Sequence, residues 1–532
     1  MKQLPDIDAL SAPELRALVV ELLDRVGELS RIVIEQREEI ARLKGLKGRP
    51  DIKPPSTPSG MDKASRFTGD GQPKRCGGGP KTAKRVIHED RVIAPSQPVP
   101  PGSRFKGYED VVTQDLILRA HVVRYRRERW LTPSGEHVVA PLPSGIKGHF
   151  GPELRRYALV QYHQGQVTVP RLLEQLRAFG IDISKRQLVR LLIAGQDAFL
   201  DEARDVLRAG LETAGWIGVD DTGARHKGKN GVCTQIGNHL FTYFKTTGSK
   251  SRMNFLDCLR AGHTDYVINE AALAYMAEHA LAGPLIARLA AHSSRVFAGE
   301  AAWSAHLSSL GLRDLDVTPN PARVATEGAL WGSIAAHGFL NEAVIVSDDA
   351  GQFKIGLHAL CWVHCERLVY KLDAYTEADR LAKERVRGLI WWFYRDLIAY
   401  QGEPTPRRKA ELKARFDRIF KRRTGFVMLD RLLKRLLANK PELLVVLDRP
   451  DIPLHTNGSE RDIRCHVTKR KISGGTRSDI GRDCRDAFLG LAKTCAKLGV
   501  TFWDYVGARL GAPNHACIAM LPEIIKTRAA TA

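Results

Sequence analysis

Two short stretches constrain the fold more than any others. "WIGVDDT" (216–222) and "EAVIVSDDAGQF" (342–353) are each an apolar run that stops in a pair of acids. A short apolar run of this kind reads as a buried strand. Two such strands bring Asp220-Asp221 and Asp348-Asp349 toward one edge of a sheet. Crowded carboxylates are costly, because like charges repel and desolvation adds to the repulsion. A cation relieves that cost, and an all-oxygen donor set suits Mg²⁺ or Mn²⁺ better than zinc.

A third acid, Glu460, lies in "HTNGSERDIR" (455–464). Asn457-x-x-Glu460 has the spacing of a capping box. Glu460 also suits a third metal ligand, with Arg461 and Arg464 facing an anionic substrate. Both hold together if Asn457 caps the helix while Glu460 turns toward Asp220 and Asp348. Asp348 directly follows its strand and is preferred to Asp349. Asp221 points to the opposite side of its strand from Asp220. Three such carboxylates would hold two ions about 3.5–4 Å apart, the spacing that serves in-line phosphoryl transfer.

The charge agrees with a phosphate-bearing substrate. The chain has 532 residues, with 81 Lys and Arg against 60 Asp and Glu, a net charge of +21. That excess favours an extended anionic partner, nucleic acid first, over a small metabolite. Nine scattered cysteines without a CxxC pair suit a reduced compartment. No apolar run is long enough for a membrane helix, and the N-terminus lacks a signal-type core. The expectation is a soluble, cytoplasmic, nucleoid-associated protein with no membrane partner.

Residues 11–46 read as a coiled coil. Val19, Val26, Val33 and Ile40 fill one set of core positions; Leu15, Leu22, Leu29, Gln36 and Leu43 fill the other. Branched residues at a with leucine at d favour a parallel two-stranded coil, hence a homodimer or a higher homo-oligomer. An amphipathic helix packed on its own protein is the alternative. Residues 47–104 hold 10 of the 27 prolines and read as a disordered basic linker. Residues 105–150 form a small β-rich basic region whose core, "LILRAHVVRYRRERWL", alternates like a strand pair. Residues 151–209 have a helix-turn-helix pattern: a helix over 170–178, a turn at Gly180, and Ser184 capping a second helix that carries Lys185, Arg186 and Arg190. A basic second helix suits a DNA groove, although any helical hairpin shows the same pattern. Residues 210–510 read as an α/β domain. It opens on a three-stranded antiparallel meander and has helical insertions at about 262–340 and 366–450. A C-terminal tail follows at 511–532.

These pieces in this order resemble the DDE transposases of the insertion-sequence 66 family. "VDDTGARHKGKNG" is similar to that family's first-aspartate segment, and "TGSKSRMNFLDCL" to its Ser-Arg segment. "SDDAGQF…LCWVHCERLVYKL" is similar to the second-aspartate segment and the run after it. "TNGSERDIR" and "TKRKISGGTRS…LAKTCAKLGVTFWDYV" are similar to the glutamate segment and its tail. The resemblance spans roughly 155–510. It implies a ribonuclease H-like catalytic core and two Mg²⁺ (or Mn²⁺) ions. It also implies cleavage and strand transfer of element DNA, recognition of terminal inverted repeats, and small accessory transposition proteins as partners. Asp220, Asp348 and Glu460 match the catalytic, metal-holding acids, with Asp221, Asp349, His364 and Asn457 as alternates or neighbours. The chain departs from the family in lacking cysteines over 91–140, where a zinc module is common. It also has His455-Thr456 before Asn457, and a long segment between the two aspartates.

Other residues have two readings. Cys361-x-x-His364 with Cys465-His466 could form a zinc site; otherwise Cys361 and Trp362 pack in a strand and His364 touches substrate. Between Arg407 and Lys440 there are 13 Lys or Arg against 3 Asp or Glu. Such helices are either solvated or repel themselves unless DNA lies on them. Lys469, Arg470, Lys471 and Arg477 follow Glu460 and are expected, with Arg461 and Arg464, near the scissile phosphate. A DNA-binding protein without catalysis is the alternative function.

Overall fold

The computed structural model describes residues 86–143, 148–312, 314, 317–513 and 515–531, with scattered positions between Ser11 and Glu28. The chain divides into two compact units, Met1–Ile117 and Leu118–Ala532.

In the first unit, Pro13, Ala17, Val19, Glu21, Arg25, Val26 and Glu28 are helical. Val19 and Val26, two of the expected core positions, are exposed. The rest of the 11–46 heptads, and 47–85 of the linker, lie outside the described residues. Residues 86–104 carry no helix or strand and are exposed.

The second unit opens on a small hairpin of β1 (Arg129–Leu131) and β2 (His137–Val139). The alternating stretch 116–131 forms a strand only at its last three residues. Val122 and Trp130 stay exposed there, and two short strands without a covering layer bury too little to extend further. Helices α1 (Pro152–His163), α2 (Val169–Ala178), α3 (Lys185–Ile193) and α4 (Asp197–Thr213) follow. Gly180 turns the chain between α2 and α3 at φ +85°, a conformation that glycine adopts without strain. Ser184 and Gln187 form a reciprocal capping box at the start of α3.

The centre is a five-stranded mixed sheet. β3 (Trp216–His226), β4 (Lys229–Gly237) and β5 (Thr242–Thr247) make an antiparallel meander. β8 (Val344–Ser347) joins β3 in parallel, and β9 (His358–Leu360) joins β8 in parallel, giving the order β5-β4-β3-β8-β9. β3 does not stop at its acids. It runs on to His226 because Lys227 and Gly228, at φ +49° and +77°, close a two-residue hairpin into β4.

Between β5 and β8 lie α5 (Arg252–Leu259), β6 (Tyr266–Val267), α6 (Glu270–Glu278), α7 (Gly283–Ala291), β7 (Val296–Phe297), α8 (Glu300–Ser309) and α9 (Pro321–Ala336). After β9 come α10 (Trp362–Tyr370), α11 (Glu377–Gly402), α12 (Pro406–Phe420), α13 (Val427–Ala438) and α14 (Lys440–Leu443). The chain closes with α15 (Asn457–Ser473), α16 (Asp479–Lys497), α17 (Phe502–Leu510) and α18 (Leu521–Thr531).

Strand alternation divides two cores across the sheet. Ile217, Val219 and Ile345 face a core shared with α4, α9 and α16. Val344, Val346 and Ala359 face a second core, built with Trp362 and α11–α13. Residues 511–532 are part of the fold rather than a loose tail. Leu521 and Ile525 of α18 are fully buried, and the Leu521 amide donates to Glu202 of α4.

Candidate active site

The two aspartate strands meet in register. β3 and β8 pair Trp216 with Val344, Ile217 with Ile345 and Gly218 with Val346. The same offset, continued up the strands, sets Asp220 level with Asp348. Two carboxylates therefore leave neighbouring parallel strands at one height.

The electrostatics follow from that adjacency. Burial, with the charges of Asp348 and Asp221, pushes the Asp220 carboxyl up to about 6. The Asp221 amide, which donates to Asp220 Oδ1 at 2.8 Å, and His364 oppose the shift without cancelling it. Asp348 Oδ1 accepts from the Ala350 amide at 3.1 Å. Among the described residues neither Asp220 nor Asp348 forms an ion pair.

Their sequence neighbours do. Asp221 Oδ1 accepts from Lys250 Nζ at 3.0 Å and Asp221 Oδ2 from Gln352 Nε2 at 2.6 Å. Asp349 accepts from Arg435 Nε at 3.1 Å and lies 3.3 Å from Lys354 Nζ. In each pair, then, the first aspartate is uncompensated and the second is tied to a cation.

Glu460 arrives on α15, which packs close to β3. A Cβ on Gly218 would come within 2.6 Å of Ser459 Oγ, so a larger residue there would force Ser459 to shift. Thr456, not Asn457, is the N-cap, and it makes no side-chain cap bond. Asn457 is the first helical residue, so the expected capping box does not form. Glu460 points instead to α10. Arg367 donates to both its oxygens, at 2.7 and 3.3 Å, and His364 Nε2 lies 3.5 Å away. Burial would raise the Glu460 pKa, but Arg367, His364 and Arg464 outweigh it and hold the carboxyl below its usual range.

His364 links the two parts. Its hydrogen bond to Cys361 and the charges of Cys361, Asp348 and Glu460 raise its pKa against the effect of burial. Cys361 caps α10 and Trp362 begins it, so neither lies in the strand, which ends at Leu360. The Cys465-His466 half of the candidate zinc site lies elsewhere: His466 is grouped with Cys233 and Asp486 in the core.

Asp220, Asp348 and Glu460 do not form a cluster within 4.8 Å of one another. The Asp220–Asp348 pair fits a divalent cation by chemistry: hard oxygen donors, half-buried, crowded and without an ion pair among the described residues. Glu460 would join them by exchanging Arg367. Arg367 was missed in the sequence, although it stands one helical turn after His364.

The expected DNA contacts separate into two kinds. Lys185, Arg186 and Arg190 are exposed on α3, and Arg461, Arg464, Lys471 and Arg477 are exposed on or just after α15, with Arg470 half-buried. Lys469 is not available. It is fully buried and donates to the Tyr162 carbonyl at 2.5 Å. Burial and Arg485 lower its pKa to about 7. Part of the charge on the basic helices α12 and α13 is matched within the chain: Asp396, Asp448 and Asp349 pair with Arg415, Lys409 and Arg435.

The fold and site define a mixed α/β protein with acids gathered at one end of its central sheet. Comparison with known proteins makes this specific. The chain belongs to the Transposase IS66 family, whose model matches residues 147–257 and 332–483. The interval between those matches falls within the helical excursion from α5 to α9. An uncharacterized protein, y4jO, of Sinorhizobium fredii is 50% identical over 324 residues, covering 61% of this chain and all of the relative.

Proposed function

We propose that this chain is the transposase of a bacterial insertion sequence. It binds the element's terminal inverted repeats and catalyses metal-dependent DNA cleavage and strand transfer. The shared height of Asp220 and Asp348 on β3 and β8 carries this reading. The order β5-β4-β3-β8-β9, three antiparallel strands followed by two parallel ones, supports a ribonuclease H-like core.

Asp220 and Asp348, joined by Glu460, would hold two Mg²⁺ (or Mn²⁺) ions. Such ions, when bound, activate an attacking oxygen and stabilise the leaving one. The protein's own groups prepare that site. Arg367 keeps Glu460 ionised and parked beside α10 until DNA arrives. His364, whose pKa is raised by Cys361, Asp348 and Glu460, stands close to Asp348 and Glu460 as a proton-exchanging group. Arg461 and Arg464 offer exposed charge to the backbone on either side of the cut.

α2 and α3 serve as the helix-turn-helix, with Lys185, Arg186 and Arg190 on the groove side. The 11–46 coil pairs two chains so that both ends are handled together, and small accessory proteins complete the assembly. Work on chromosomal DNA places the protein in the cytoplasm, at the nucleoid. Among the described residues no helix is long and apolar enough to cross a membrane.

The test is incubation of the full chain with candidate terminal DNA and Mg²⁺, with and without Glu460→Gln. Metal-dependent cutting that the variant loses is the expected result. DNA binding without cutting by the wild type would favour the inactive DNA-binding protein instead.

A further inference from the structure

We propose that Trp391 and Trp392 on α11 form a stacking platform for unpaired DNA bases beside the carboxylate site, an inference that rests on the reading of the chain as a DNA-cutting transposase. α11 is a 26-residue helix whose Val386, Ile390, Phe393, Leu397 and Tyr400 are buried. Its other side is not the polar surface such a helix ordinarily shows. Trp391 is 37% exposed, Trp392 58%, Leu381 64% and Ile398 50%. Two adjacent tryptophans left in water are a standing cost, and large apolar exposure of this kind marks binding surfaces.

The position is specific. Phe393, next to the pair, packs on Trp362 with ring centroids 5.1 Å apart. Trp362 is the first residue of α10, the helix that presents His364 and Arg367. Trp391 meets Tyr394 edge-on at 5.5 Å. One turn back along α11, Arg387 lies 4.7 Å over the Tyr370 ring. Trp391, Tyr394 and the Arg387–Tyr370 pair thus lie along α11, which Phe393 and Trp362 anchor from its buried side.

The charge selects the occupant. Glu384 is taken by Arg387, and Asp396 by Arg408 and Arg415. Arg385 and Arg395 are exposed on either side of the tryptophans and form no ion pair among the described residues. Aromatic faces flanked by free arginines match a nucleic-acid strand whose bases stack while its phosphates meet the cations. Duplex DNA hides its base faces, so the platform takes only bases that have left the stack.

The experiment uses the full chain and two DNA probes, one blunt duplex and one with an unpaired tail carrying 2-aminopurine. The wild type should bind the tailed probe about tenfold tighter than the blunt one, with the probe fluorescence quenched by stacking. The double variant Trp391→Ala/Trp392→Ala should lose that preference and the quenching, while binding blunt duplex within about twofold of wild type. The Phe/Phe variant should recover part of both, which separates stacking from misfolding. A tail preference that survives the Ala/Ala change overturns the proposal. Sedimentation adds a second check: an assembly that breaks up in the Ala/Ala variant, with tail preference intact, makes the face a contact between copies and also overturns it. Wild-type chain that binds blunt duplex without preferring the tail defeats the platform alone. Wild-type chain that binds neither probe defeats both the platform and the proposed function.

Discussion

Two acid-bearing regions, one on the central sheet and one on the α16 helix packed against it, are built on opposite principles. On β3 and just after β8, Asp220 and Asp348 stand level and half-buried, and neither forms an ion pair among the described residues. In the core, Asp486 is 2% exposed, yet His466 Nε2 lies 3.4 Å and Arg485 Nε 3.6 Å from it, and its other oxygen accepts from the Thr246 amide at 2.7 Å. Those partners hold the Asp486 carboxyl below its usual range despite full burial, whereas burial and like charge push Asp220 up to about 6. A protein that compensates a fully buried acid has the means to compensate a shallower one. That Asp220 and Asp348 are left bare points to a counter-charge supplied from outside the chain.

The contrast is sharpest in catalysis. Asp220→Asn or Asp348→Asn should lower Mg²⁺-dependent strand cutting by about 10³-fold or more, while end binding in a gel-shift assay stays near wild type. Asp349→Ala, read in the same assay, should leave cutting within about tenfold, because its role is to hold Arg435 and Lys354. Equal loss in both aspartates would erase the distinction between bare and tied acids.

Stability comes next. Asp486→Ala should cost about 3–5 kcal/mol in denaturant unfolding, because it strands buried Arg485 without its partner. Asp220→Asn should do the reverse. Its folded pKa is raised, so its contribution is fully present below the unfolded value and is lost as pH climbs through about 6. At pH 8 without divalent ions the asparagine variant should be more stable than wild type by about 2–3 kcal/mol, and the gain should vanish near pH 4. A variant less stable than wild type at pH 8 would show that the carboxylate is already compensated.

An effect of similar size concerns ligand linkage. Mg²⁺ at about 100 times its dissociation constant should stabilise the wild type by about 2.7 kcal/mol at pH 8. That increment should shrink as pH falls through about 6, where protons compete for Asp220, and be absent in Asp220→Asn. Thermal melts at a series of pH values measure it.

What was legible in the sequence was whatever depends on local pattern. The apolar runs before each Asp-Asp pair announce buried strands, and Gly180 and Ser184 announce the turn and cap that α2 and α3 use. Period-2 alternation was enough to separate Asp220 from Asp221. Long-range partners were not legible. Nothing around Lys469 distinguishes it from exposed Lys471; only its packing against Tyr162 does. The Arg367 grip on Glu460 and the Asp349 that pairs with Arg435 of α13 come from elements far apart in the chain. The 116–128 stretch misled for a related reason, since alternation predicts a strand only where another layer exists to cover it.

The parallel pairing of β3 with β8 has a further consequence. The chain leaves the sheet after β5 and returns at β8, so the height of Asp348 beside Asp220 is fixed by the two strands and not by the path between them. α5 and α9 at its two ends pack into the sheet's core, so it is the stretch between them that can change length without moving either strand. The exposed tip between α7 and β7 is a natural point at which to splice in a tag.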